Sequence, residues 1–268
     1  MAECGISNIA SCLPEQIFSY FAGLMNQSLD PMAGWIKGLL SHPIDITIYS
    51  GIWAIIVYAL SLFYGLLIIY VGFNLMLSGY DAAKRESAKG WLRNILIMIL
   101  LVQASYFIYG LIIDISSLLS SAVLGLVDER FFLLAPDNIA NFGLEMLLLI
   151  PYTIILLSTA LMLLVRYFIV ALGVVLFPIG IFLYFIPVTE NYGRFMLKFV
   201  CVNIFATFFY GIIILVCSKL LGVGFFDNMK MLVTMCAFLL IHIFTFLLNL
   251  VMFVKVGDKA GKYAKYLV

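Results

Sequence analysis

Apolar positions run along this chain in long stretches with almost no charge. No Asp, Glu, Lys or Arg occurs between Asp45 and Asp81, between Asp114 and Asp128, or between Lys230 and Lys255. Between Glu145 and Glu190 the one charge is Arg166. A helix needs about 20 apolar residues to cross a bilayer. In hydrocarbon, only helices and closed barrels satisfy every backbone polar group. The pattern predicts an all-α membrane protein with spans over about 47–78, 94–125, 146–166, 199–218 and 231–254. Within the second span Ser117, Ser121 and Gly125 recur every fourth residue, a small-residue stripe that permits close helix approach. Between the third and fourth spans, Gly173, Pro178, Gly180 and Pro187 predict a re-entrant or bent segment over about 167–188, which does not cross.

Two shorter stripes precede the first span. Ile17, Phe18, Phe21 and Leu24–Met25 recur at helical spacing, and Trp35, Ile36, Leu39 and Leu40 follow Asp30-Pro31. Neither is long enough to span. Two readings stand: amphipathic helices lying on the membrane surface, or helices packed on the mouth of the bundle. The chain thus divides into an external amphipathic segment 1–44, a transmembrane domain 45–254 and a basic tail 255–268. The first 13 residues lack a basic start followed by an apolar stretch, so the first span is expected to serve as an uncleaved insertion signal.

Composition agrees with the pattern. The chain is 65% hydrophobic and 11% charged, against roughly half and about a quarter in soluble domains. The net charge of +1 says little about partners, but its distribution orients the chain. Lys84, Arg85, Lys89 and Arg93 fall in one connection, and Lys255, Lys259, Lys262 and Lys265 in the tail. Basic connections face the cytoplasm. The connection 126–144, with Asp128, Glu129, Asp137 and a single base, faces out. Five crossings with an external N-terminus and a cytoplasmic C-terminus satisfy both. The alternative that stays open has 145–188 cross twice, six spans in all, which would put the basic tail outside. The two basic clusters also offer contacts for anionic lipid heads or a cytoplasmic ATPase, and the first could attract nucleic-acid phosphates.

Candidate chemistry is sparse. His42 and His242 cannot make an HExxH motif, Gly222-Val223-Gly224 lacks the third glycine of a dinucleotide fingerprint, and no Walker A pattern occurs. No catalytic, cofactor-binding or metal-ligating set is expected, and any ATP-driven work falls to a partner. Cys4, Cys12, Cys201, Cys217 and Cys236 contain no CxxC pair, which argues against zinc. Cys4 and Cys12 could form an external disulfide, and the other three read as small core residues. Intramembrane charge is costly and usually turned inward. Asp114 and Arg166 therefore either share a polar interior, paired with one another, or lie near an interface, with Arg166 snorkelling to the headgroups. Gln103, Asn203, His242 and Asn249 read as interhelical hydrogen-bond glue.

Three features together resemble a known family. A long first span ends in the charged segment Ser78-Gly79-Tyr80-Asp81-Ala82-Ala83-Lys84-Arg85-Glu86-Ser87-Ala88-Lys89-Gly90-Trp91-Leu92-Arg93, and a second span follows at once. An apolar helix carries Arg166-Tyr167 and then Pro178-Ile179-Gly180. Pro187-Val188-Thr189 precedes the next connection. Over about residues 45–255 this resembles the TrbL-like polytopic membrane component of type IV secretion and conjugation systems, a group that includes archaeal Ced-type DNA importers. The long soluble extensions of many relatives have no counterpart in this sequence, so functions resting on them are not implied. The resemblance implies a channel or platform subunit for DNA, or protein, translocation. Its implied partners are other copies of itself, a pilin-like subunit and a cytoplasmic secretion ATPase, with DNA as cargo. By that analogy Arg166 and the 178–180 region shape the cytoplasmic half of the assembly. The competing readings are a secondary transporter or small-solute channel, for which no internal repeat is evident, and an intramembrane enzyme or assembly factor, for which no catalytic set can be named.

These readings require lipid or detergent around the folded chain. Dilution of purified protein below the detergent's micelle-forming concentration should sediment it. Retention of a folded monomer in detergent-free buffer would overturn the spans.

Overall fold

A helix as apolar as the 47–78 run, if it stood in water, would have to be buried. In the computed structural model the opposite holds: the most apolar window of that span has a mean hydropathy of 2.4, yet only 17% of it is buried within the chain. Its outward face carries Ile48, Ile52, Ile55, Leu62, Leu66 and Ile69, a surface that lipid tails cover. The structure describes residues 44–79, 81–128, 142–227 and 229–264, together with Tyr20, Gly23, 31–32, 34–41 and Phe131.

Among these residues five helices are long and apolar enough to cross a membrane. They are α1 (Ser50–Leu77), α2 (Ala82–Leu124), α3 (Phe142–Phe185), α4 (Glu190–Leu220) and α5 (Lys230–Ala264). No strand occurs among the described residues. The protein is an all-α multi-pass membrane protein.

A 3-10 turn, Ile46–Tyr49, leads into α1, and the Asp45 carboxylate caps it by accepting from the Thr47 backbone N–H at 3.0 Å. Asp81 plays the same part for α2, accepting from the N–H groups of Ala83 (3.0 Å) and Lys84 (3.3 Å). That cap extends α2 backwards through the charged segment, so residues 82–93 are helix rather than loop. Likewise α4 begins at Glu190, whose carboxylate suits the positive end of the helix dipole. Glu190 also pairs with Arg194 one turn on.

Over 167–185 the chain does not leave the helix to form a separate re-entrant element. Helix α3 continues through Gly173, Pro178 and Gly180 for 44 residues, about 66 Å at 1.5 Å per residue. Proline removes one backbone bond, but the surrounding bundle keeps the helix intact. The chain turns at 186–189, where Pro187 lies and the Thr189 hydroxyl donates to the Leu183 carbonyl at 3.0 Å. The two glycines serve packing. A Cβ on Gly173 would lie 2.1 Å from the Tyr109 hydroxyl, and one on Gly180 would lie 3.1 Å from Leu197.

The helices contribute to two compact units. The first comprises Pro43–Ser116, Arg166–Phe205 and Leu248–Val268. Here α1 and α2 run antiparallel: Trp53 Nε1 donates to Ser105 Oγ at 2.9 Å, and Tyr70 meets Trp91 with ring centroids 6.0 Å apart. The second half of α3 is the core of this unit, with Val170, Ala171, Val174, Phe177, Ile181 and Phe182 all buried. Tyr109 fixes α2 against it, its ring 5.4 Å from that of Phe177 and its hydroxyl donating to the Val170 carbonyl.

The second unit comprises Met1–His42, Ser117–Val165 and Ala206–Leu247. Its core joins Tyr152, Leu156, Leu163, Tyr210, Ile214 and Phe238. Ile36 and Leu40 are buried in the same core, at 0% and 3% exposure. The second amphipathic stripe thus packs on the bundle, which leaves Trp35 outward. The first stripe, Ile17, Phe18, Phe21 and Leu24–Met25, lies outside the described residues.

The tightest approach to backbone in the first unit is at Gly193, where a Cβ would lie 2.2 Å from the Tyr184 backbone nitrogen. Backbone cannot move as a side chain can. Gly193→Ala should cost about 1–3 kcal/mol and lower the Tm in detergent by several degrees. Gly72→Ala in α1, where nothing lies within 4 Å, should leave Tm unchanged or raise it through helix propensity. A thermal melt of both variants checks the contrast.

Candidate functional site in the spanning helices

Arg166 is half-buried on α3 and turns sideways onto α4. Its Nε donates to the Asn203 carbonyl at 2.7 Å and its Nη2 to the Ile204 carbonyl at 3.1 Å. The Ile204 carbonyl also accepts from Ser116 Oγ of α2 at 2.8 Å. One carbonyl of α4 therefore ties together α2, α3 and α4. Asn203 closes the cluster by donating Nδ2 to the Phe199 carbonyl of its own helix at 2.8 Å. Carbonyl oxygens suit guanidinium, which is planar and has five donors. The arrangement answers the charge by dipoles within the bundle rather than by snorkelling.

Asp114 does not join this cluster. It is exposed on α2 and has no ion pair or hydrogen bond among the described residues. Instead it lines an open cavity of about 320 Å³ with Asp45, Ile44, Ile46, Gly110 and Ile113. Asp45 lies just before the first span. The Thr47 hydroxyl and then its backbone N–H hold the Asp45 carboxyl below the usual carboxylate range, so it stays ionised at any ordinary pH. The structure thus separates the two intramembrane charges that the sequence alone left open as a pair.

The second unit holds its own polar contacts. Thr159 Oγ1 lies 3.1 Å from His242 Nε2 while donating to the Ile155 carbonyl at 2.7 Å. Ser120 Oγ donates to Thr207 Oγ1 at 3.1 Å, and the Tyr210 and Thr245 hydroxyls meet at 2.7 Å. His242 is therefore interhelical glue, as its sequence context predicts. Gln103 is not: it is exposed on α2 and makes no hydrogen bond to any described residue. Asn249 is half-buried on α5. The stripe that packs is Ser116 and Ser120, both buried, and not the neighbouring row of Ser117, Ser121 and Gly125. Of the span cysteines, Cys217 is buried and Cys201 half-buried, whereas Cys236 is exposed and so is not a core residue.

The basic residues of the 80–93 segment stand exposed on the first turns of α2. Lys84 and Lys89 lie 3.8 and 3.9 Å from Asp81 and Glu86, loose surface pairs of little energy. Arg85 donates to the Gly79 carbonyl at 2.7 Å and ties down the turn. Arg93 is exposed. Lys255, Lys259 and Lys262 fall on the continuing helix of α5, which carries the basic tail ten residues past Val254. Lys265, Cys4 and Cys12 lie outside the described residues.

No protein-family model, curated protein or solved structure matches the chain. The family resemblance therefore rests on the residues quoted for it above.

Arg166 and Ser116 converge on one acceptor, so their contributions should not add. Arg166→Lys, which keeps the charge but loses the forked geometry, should cost about 1–2 kcal/mol, and Ser116→Ala about 1 kcal/mol. The double variant should depart from the sum by at least about 0.5 kcal/mol. Denaturation of the four proteins in one detergent measures the coupling.

Proposed function

We propose that the chain is a membrane channel or platform subunit of a type IV secretion-like apparatus. It moves DNA, or protein, across the cytoplasmic membrane with energy from a partner ATPase. What supports this reading is that five helices are long and apolar enough to span, because five successive crossings would leave the basic start of α2 and the basic end of α5 on the same side. That side is the cytoplasm by the distribution of Lys and Arg, with the N-terminus outside and the C-terminus inside. Two helical basic ends then project from the membrane where anionic lipid heads, a secretion ATPase or DNA would meet them. The family resemblance supplies the remaining partners, a pilin-like subunit and further copies of the chain.

The second reading is a secondary transporter or small-solute channel. The cavity lined by Asp45 and Asp114 favours it, because two carboxylates lining one cavity can gather cations.

Deletion of the gene separates the two. Loss of DNA uptake or mating with unchanged small-solute uptake is expected. Normal DNA transfer with lost solute uptake would reverse the assignment. Reporter fusions at residue 268 should report a cytoplasmic position.

A further inference from the structure

A threonine hydroxyl carries one proton, and Thr159 has already placed its own. The side chain is sealed in, at 0% exposure, and its Oγ1 donates to the Ile155 carbonyl at 2.7 Å. In the contact with His242 Nε2 at 3.1 Å, Thr159 is therefore the acceptor. A ring nitrogen donates only when it carries hydrogen. Nε2 is thus the protonated nitrogen, and the geometry selects one tautomer of the neutral ring. The other nitrogen, Nδ1, has no hydrogen-bond partner among the described residues. Among them the one fully buried side-chain N or O atom without a partner is the Tyr64 hydroxyl. Nδ1 of the half-buried His242 is therefore not enclosed, and it opens onto the surface of the second unit.

We infer that His242 is a proton-binding site, which exchanges its proton at Nδ1 while Nε2–H stays bonded to Thr159 in both charge states. In the neutral ring Nε2–H donates and Nδ1 holds a lone pair. A proton from solvent adds to that lone pair. The imidazolium then carries N–H on both nitrogens, and Nε2 goes on donating to the same oxygen. The contact between α3 and α5 need not break for the charge to change.

The helices packed in this unit bring no carboxylate to compete for that proton. No Asp, Glu, Lys or Arg occurs on α5 between Lys230 and Lys255, on α3 between Glu145 and Arg166, on α4 between Lys198 and Lys219, or on α2 between Asp114 and Asp128. The titratable groups that the unit's share of these stretches carries are Tyr152, Tyr210, Cys217 and Cys236. The segment 34–41, on the same core, adds Lys37, which is exposed. Arg166, seven residues after Thr159 on α3, is held by carbonyls of α4. Tyrosine and cysteine are neutral when protonated, so His242 is the one group in these helical stretches that can turn positive. Side chains that take up protons within spans serve proton relays in membrane proteins. The inference rests on the contact between α3 and α5 and on nothing about cargo, so it can fail without touching the outcome of the transfer assay.

The test is NMR of the full chain in lipid nanodiscs, with histidine labelled at its ring nitrogens. The chain has two histidines, so His42→Gln leaves His242 as the sole signal. At alkaline pH the ring should carry hydrogen on Nε2 alone. On acidification Nδ1 should gain a proton while Nε2 keeps its own. Thr159→Val, which keeps the shape and removes the acceptor, should let the Nδ1–H tautomer appear in the neutral ring. Its effect on Tm should be the same at both ends of the pH range, because the bond it removes is present in both charge states. A wild-type neutral ring protonated at Nδ1 would overturn the inference. So would an Nδ1 that gains no proton while the protein stays folded, or a Thr159→Val effect confined to one end of the pH range.

Discussion

Peptide N–H and C=O groups have no partner in hydrocarbon, so each span must close its hydrogen bonds within its own helix. The rest of this structure follows from that constraint. Side-chain hydroxyls obey it too. Thr159, Thr234 and Thr245 each return their proton to the carbonyl four residues back, and Asn203 does the same with its amide. Even the one charge in the long apolar run is met by carbonyl dipoles of the adjacent helix. Polar chemistry in these spans is spent on holding helices together, and little of it is left free.

Close packing supplies the other half of the stability. Lipid tails are as apolar as leucine, so helices gain nothing from apolar burial alone and must fit one another closely. Gly173 admits the Tyr109 ring, and Gly180 and Gly193 let α3 and α4 approach near their shared turn. In the second unit Gly211 lets Val123 come within van der Waals reach. These residues look like helix breakers in a one-dimensional reading, but in a bundle they are points of contact.

The spans were legible because charge is so rare: five uncharged or nearly uncharged runs correspond to five helices. Their ends were less so. Asp81 and Glu190 cap helices whose first turns are strongly charged, and charge alone marks those turns as loop. Pro178 and the glycines of α3 suggested a separate element because local sequence does not show the neighbours against which a continuous helix packs. The partner of Arg166 was hidden for a related reason. Backbone carbonyls carry no sequence signature, so a search among side chains finds Asp114, which faces the other way. The same blindness to facing selected Ser117 and Ser121 over the buried Ser116 and Ser120, one position earlier on the same helix. Thr189 and Pro187, by contrast, marked the α3–α4 turn correctly.

That turn has a consequence for biogenesis. Only residues 186–189 separate α3 from α4, and Arg166 precedes the carbonyl that receives it by 37 positions. As the ribosome delivers the chain, α3 emerges with its guanidinium unanswered, and release into lipid at that moment would strand the charge. The insertion machinery must therefore hold α3 until α4 arrives, and the two helices partition into the membrane together as a hairpin.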